Sequence, residues 1–164
     1  MRSKPARNAR VHANAKVVGL ISDTHGLLRD EALAALLGSD LIVHAGDVGK
    51  PEILTALEKL APVVVVRGNT DIEQWARTLP ETAVTQAGAT MLYVLHNLEE
   101  LDIDPIAAGF HIVISVHTYK PTRTERKGVI GSAGPRRFDL PVTVARLNVN
   151  FIPWEIEFID LSRR

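Results

Sequence analysis

The sequence predicts an α/β fold: a parallel sheet, a second and more antiparallel sheet packed against it, and helices on the flanks. Three observations predict it. Val17-Val18-Gly19-Leu20, Leu41-Ile42-Val43 and Val63-Val64-Val65-Val66 are short apolar runs rich in β-branched residues, the pattern of strands buried on both faces. Segments with helical spacing separate them, so strand, helix, strand, helix and strand follow in order between Lys16 and Asn69. Two βα units with short connections require parallel pairing through right-handed crossovers. After Asp71 the chain turns to shorter apolar stretches punctuated by glycine and proline, which reads as the second sheet.

The first helix is expected over residues 29–37, with Leu33, Leu36 and Leu37 on one face and Gly38 as its stop. Residues 51–60 carry Ile53, Leu54, Leu57 and Leu60 at helical spacing, and Pro51 suits a first turn. A short helical turn is expected over 73–79, ended by Pro80. Strands over 82–86 and 90–95 would be joined by the turn Ala87-Gly88-Ala89. One short helix over 104–108 would close at Gly109, before a strand over 111–116. The remaining strands are expected near 128–130, 142–149 and 154–159.

The 164 residues suit one domain with a true core. Lys plus Arg and Asp plus Glu are both 19, so no overall field favours nucleic acid or an anionic membrane as partner. No specific nucleic-acid partner is expected. No apolar stretch is long enough to span a bilayer, and no membrane association is expected. With no cysteine there is neither a disulfide framework nor a thiolate metal site, which fits a cytoplasmic location. Residues 1–15 are basic, contain no acidic residue and lack a signal-like apolar core; they read as a disordered extension, with the domain over 16–164.

The apolar runs end in a consistent chemistry. The first leads into Ile21-Ser22-Asp23-Thr24-His25-Gly26, the second into His44-Ala45-Gly46-Asp47, and the third into Arg67-Gly68-Asn69-Thr70-Asp71. Loops beyond the carboxyl ends of parallel strands form the usual ligand crevice. His96 and His117 follow two later apolar runs, which completes a set of oxygen and imidazole donors. A two-metal site needs a bridging carboxylate to offset repulsion between the cations, and Asp47, beside Gly46, is the best candidate. Asp71 is expected to orient its loop, His44 to sit behind the ligands, and Trp75 and Trp154 to pack.

Asp23-Thr24-His25, Gly46-Asp47, Gly68-Asn69-Thr70-Asp71, His96 and Val116-His117-Thr118-Tyr119 resemble, in order, the motif blocks of the calcineurin-like metallophosphoesterases. The similarity is closest to their small bacterial and archaeal phosphodiesterase branch and extends to Gly131-Ser132-Ala133-Gly134-Pro135-Arg136-Arg137. It implies a four-layer αββα sandwich of two mixed sheets flanked by helices, with two divalent ions at one sheet edge. Mn2+ is the first expectation, with Zn2+, Fe2+ or Ni2+ as alternatives. By resemblance, Asp23 and His25 would bind one ion, Asp47 would bridge, and Asn69, His96 and His117 would hold the other. Asp47 and Asn69 would also serve catalysis.

The implied activity is hydrolysis of a small phosphodiester by hydroxide held between the two metals. A homodimer is compatible with the resemblance. The alternative is a catalytically impaired pseudo-enzyme or protein-binding scaffold on the same fold. Two departures from the family pattern shape these expectations. Thr70 stands where larger relatives carry a histidine that protonates the leaving group, which favours weakly basic leaving groups. Tyr119 stands where the last imidazole of the first metal site is expected, and a phenol of pKa near 10 is a poor ligand at neutral pH. Tyr119→His is therefore expected to raise both metal affinity and hydrolysis rate, measured by metal titration and turnover; a variant that binds no more metal than the parent refutes this account.

Overall fold

The computed structural model describes residues 10–115, 143–150 and 154–161. In chain order the elements are β1 (Arg10–His12), β2 (Val17–Ile21), α1 (Asp30–Leu36), β3 (Leu41–His44), α2 (Pro51–Glu58), β4 (Val63–Val65), β5 (Thr82–Ala87), β6 (Thr90–Leu95), β7 (Ile112–Ile114), β8 (Thr143–Asn148) and β9 (Glu155–Asp160). Two short 3-10 segments, Gln74–Thr78 and Leu98–Glu100, lie between them. One sheet has the order β4-β3-β2-β8-β9 and the other β1-β5-β6-β7. Both are mixed. The two crossovers β2-α1-β3 and β3-α2-β4 join parallel neighbours, as the alternating pattern requires.

Period-two alternation places the two layers of core. Val18 and Leu20 of β2, with Leu41 and Val43 of β3, face the other sheet and meet Leu92, Val94, Ile112 and Ile114. Ile21 and Ile42 face the opposite way, onto Ala32 and Leu36 of α1 and Ile53 and Leu57 of α2. On the far side of the smaller sheet, Tyr93, Leu95 and Val113 are covered by Leu98, Leu101, Ile103 and Phe110. The molecule is thus a two-sheet sandwich with outer layers. Among the described residues, the layer on the smaller sheet is built from a 3-10 segment and turns rather than an α-helix. No helix among them is long and apolar enough to cross a membrane.

Several local expectations need correction. Residues 104–108 do not form a helix. Ala108 N donates to Asp104 O and Phe110 N to Pro105 O, a single hydrogen-bonded turn with too few residues to propagate. Leu37 lies beyond the end of α1 with ψ 138° and is 59% exposed; Ala32 takes the buried place beside Leu36. Arg10–His12, assigned from sequence to the disordered extension, pairs in parallel with Thr85–Ala87 as an edge strand. Its three residues are too short and polar to read as a strand without that partner. The strand expected near 128–130 lies outside the described residues.

Gly19 lets α1 lie close on β2. A Cβ there would stand 2.6 Å from both Leu36 Cδ2 and Ser39 Oγ. Since Leu36 is fully buried, it has little room to yield. Gly19→Ala is expected to lower stability by about 1–3 kcal/mol through overpacking, read as a lower urea-unfolding midpoint; an unchanged midpoint would show that the helix docks with slack.

Candidate metal centre

The chain leaves β2 and β3 side by side, and their pairing continues past the strand ends. Ala45 N donates to Ile21 O, Asp23 N to Gly46 O, His25 N to Asp47 O and Gly26 N to Val48 O, at 2.8–2.9 Å. The two loops are therefore locked together residue by residue. Asp23, His25 and Asp47 have φ of 53°, 47° and 58°, the only non-glycine residues with positive φ among those described. Left-handed backbone disfavours L-residues and persists where the surroundings over-determine it, most often at functional sites.

That backbone aims the side chains at one point. Ligand atoms of Asp23, Asp47 and His96 all lie within 4.8 Å of one another, and all three residues are buried. His25 Nε2 is 3.6 Å from Asp23 Oδ1 and 3.8 Å from Asp47 Oδ2, and this buried nitrogen has no hydrogen-bond partner. Asn69 Oδ1 is 2.9 Å from His96 Nε2. Five of the sequence-derived site residues, Asp23, His25, Asp47, Asn69 and His96, are thus brought together. His117 and Tyr119 lie outside the described residues. Two close buried carboxylates and an orphaned imidazole nitrogen are costly without a cation and fit one well.

Glycine makes room for this crowding. A Cβ on Gly68 would collide with Asp47 Oδ1, and Gly46, with φ of 105°, lies against Gly68 and His96 Nδ1. Asp71 then clamps the third loop to the second. Its Oδ2 accepts from Gly68 N at 2.9 Å and Val48 N at 3.2 Å, and its Oδ1 from Gly49 N at 3.1 Å. The carboxylate orients the loop, as its place in the sequence suggested.

His44 holds the loops from behind. Gly46 N donates to its Nδ1 at 3.1 Å, so Nε2 carries the hydrogen and donates to Thr24 Oγ1 at 3.0 Å, which in turn donates to Val48 O. Complete burial, aided by the charge of His96, pushes the His44 pKa from 6.5 down to about 3, so the ring stays neutral. A polar residue ending the otherwise apolar run Leu41-Ile42-Val43 was the available signal for this role.

His96 is in the opposite state. Its burial disfavours charge, but the hydrogen bond and negative charge of Asp47, joined by the Ala45 carbonyl, outweigh burial and raise its pKa from 6.5 to about 9. Nδ1 faces Ala45 O at 2.8 Å, while Nε2 faces Asp47 Oδ2 at 3.3 Å, so both nitrogens meet acceptors and both carry protons. Burial likewise opposes the charge of Asp47, yet His96 and the Thr70 N–H, 2.9 Å from its Oδ1, hold it well below the usual carboxylate range.

A family model described as the calcineurin-like phosphoesterase superfamily domain matches residues 17–150. The chain belongs to that superfamily. A probable metallophosphoesterase of Methanothermobacter thermautotrophicus is 31% identical over 157 residues, covering 85% of this chain and 91% of the relative. One of Methanocaldococcus jannaschii is 32% identical over 120 residues, 64% of this chain and 59% of the relative. Among solved structures, a single mutant of Vps29 from Entamoeba histolytica superposes with a TM-score of 0.67 at 22% identity, covering 88% of this chain and 99% of that one. The Thermotoga maritima protein TM1076 gives 0.68 at 23%, over 89% and 99%. These structures share the two-sheet sandwich fold, and membership of the superfamily supports a metal-dependent phosphoesterase.

The Asp47–His96 pair ties metal-free stability to pH. Because the folded pKa of His96 is raised, its contribution is complete below its ordinary value of 6.5 and is lost as pH rises through about 9. Chelator-treated protein is expected to lose resistance to urea between about pH 6 and about pH 10, and His96→Gln to flatten that decline; an equally steep decline in the variant refutes the assignment.

Proposed function

We propose that the protein hydrolyses phosphodiesters, with two divalent cations held by Asp23, His25, Asp47, Asn69, His96 and His117, and Asp47 shared between them. The observation that carries this reading is the convergence of three strained residues, Asp23, His25 and Asp47, on a buried point shared with His96 and Asn69. A Vps29 structure of the same fold, from Entamoeba histolytica, is described as complexed with Zn2+, and it superposes with a TM-score of 0.58 at 22% identity. A divalent cation bound to this fold is consistent with the reading. Mn2+ is the first expectation.

When bound, such cations supply Lewis acidity: they bring the pKa of water toward neutrality and neutralise charge gathering on the phosphoryl oxygens. The chain's own residues prepare for this. His96 must release its Nε2 proton to donate that nitrogen, while its Nδ1 proton stays on Ala45 O and keeps the ring in place. His25 Nε2 has no hydrogen bond to give up. The backbone of Thr70 fixes Asp47, but its hydroxyl cannot give a proton to a departing alkoxide at neutral pH. Weakly basic leaving groups are therefore favoured. In the reaction a water oxygen joins phosphorus, the bridging phosphorus–oxygen bond breaks, and the alcohol departs with a proton.

Elemental analysis of protein purified without chelator, together with hydrolysis of bis(p-nitrophenyl) phosphate in added Mn2+, tests the reading. Two metals per chain are expected, with turnover that falls to background in Asp47→Ala. Asp71→Asn, which touches only backbone, is expected to weaken metal binding about 10–100-fold. Protein that takes up no metal and turns nothing over would instead favour a binding scaffold on this fold.

A further inference from the structure

A cavity of about 500 Å³ opens directly on the candidate metal centre, with Asn69 and His96 in its lining. A phosphoryl group occupies a small part of that space, which is of the size that receives a small organic ligand. Its lining also includes two arginines. Arg67 lies two residues before Asn69, and Arg77 lies on the 3-10 segment Gln74–Thr78.

Building on the proposed phosphodiesterase reading, we infer that the substrate carries a second anionic group, a phosphate or carboxylate beyond the scissile phosphate, which Arg67 and Arg77 receive in this cavity. Arg67 is held in place for this. Its backbone N–H donates to Pro80 O at 2.7 Å, and its guanidinium donates to Glu81 Oε1 at 2.7 Å. With Glu81 78% exposed, that pair adds little stability, and it engages one guanidinium nitrogen while leaving the other donors open. Arg77 has no acidic partner among the described residues. Asp71 is spent on backbone N–H groups, and Glu81 is committed to Arg67. Glu100, on the 3-10 segment Leu98–Glu100, is the one acidic side chain of the lining without a partner among the described residues.

Arg77 is exposed at the cavity and uncommitted, so an oxyanion can pair with its planar fork in two hydrogen bonds, whereas an uncharged group gains no such pairing. The chemistry at phosphorus makes such an anchor useful. Thr70 offers no proton to the leaving group, so the reaction depends on holding the diester in line, and binding energy from a remote anion can be spent on that alignment.

A matched pair of diesters isolates the second anion: a thymidine dinucleotide with and without a 5′-phosphate. Their binding to the full chain in chelator, followed by calorimetry, reads the cavity without turnover. The phosphorylated compound is expected to bind about tenfold tighter, the worth of one charge-assisted pair. Arg77→Gln should remove most of that preference, Arg77→Lys should restore part of it, and Lys59→Gln, on the exposed end of α2, should retain it. Equal affinities in the parent, no measurable binding of the phosphorylated compound, or a preference that survives Arg77→Gln would each overturn the inference. Turnover separates it from the reading beneath it. A binding preference that persists while neither dinucleotide nor bis(p-nitrophenyl) phosphate is hydrolysed in Mn2+ would sink the phosphodiesterase and leave the anion site standing.

Discussion

Asp23 and Asp47 are two buried carboxylates on backbone that L-residues avoid, close enough for one ion to touch both. Each left-handed residue costs on the order of 1–2 kcal/mol. With His25 included, the strain is a noticeable part of the roughly 5–15 kcal/mol that keeps a domain folded. Nothing in the side chains themselves would hold such a geometry. It persists because the loops after β2 and β3 continue the sheet's hydrogen bonding beyond the strands, and because His44, Thr24 and Asp71 tie their backbone groups down from the far side. The apolar sandwich makes those strands rigid; the loops borrow that rigidity.

How much of this can be read from the residues follows from how each feature is encoded. The unit β2-α1-β3-α2-β4 is legible because strands buried on both faces are written as apolar runs, and the residues ending those runs mark the ligand crevice. Asp23, His25, Asp47, Asn69 and His96 were identified for that reason, each just after a run. The edge strand at Arg10–His12 was not legible, because its pairing with β5 is made by backbone groups that no side-chain pattern reports. Leu37 counted as core on spacing alone, although the chain leaves the helix at that residue. The positive φ values of the three site residues are equally silent in sequence: aspartate and histidine enter that region more often than most L-residues, yet only in a small minority of their occurrences. So is the charge of His96, which depends on an aspartate 49 positions earlier.

The site is divided between the two sheets. Asp23, His25, Asp47 and Asn69 follow strands of the five-stranded sheet, whereas His96 follows β6 of the other. Their relative placement is therefore set by how the inner faces pack, through Leu20, Val43, Leu92 and Val94 among others. Interiors at near-crystalline density transmit small displacements rather than absorbing them. A change of volume between the sheets should shift His96 against Asp47 without touching either residue. In this architecture the core acts as the ruler of the metal centre as well as the source of stability.

The same pairing gives the buried Asp47 carboxylate a counter-charge within the chain. In the metal-free arrangement Asp47 is negative and His96 positive, so a proton on Nε2 occupies the direction that a cation would take. The buried carboxylate has a counter-charge, Asp71 has its backbone donors, and His44 is neutral with both nitrogens bonded. Among the site's buried nitrogens, His25 Nε2 is left without a hydrogen-bond partner. Metal entry is then an exchange of one positive charge for another, and it must release a proton. The sandwich itself recurs in structures of 14–23% identity. The convergence of Asp23, His25, Asp47 and His96 on one buried point carries more weight than the fold, because a scaffold with no use for a cation gains nothing by keeping two carboxylates buried side by side.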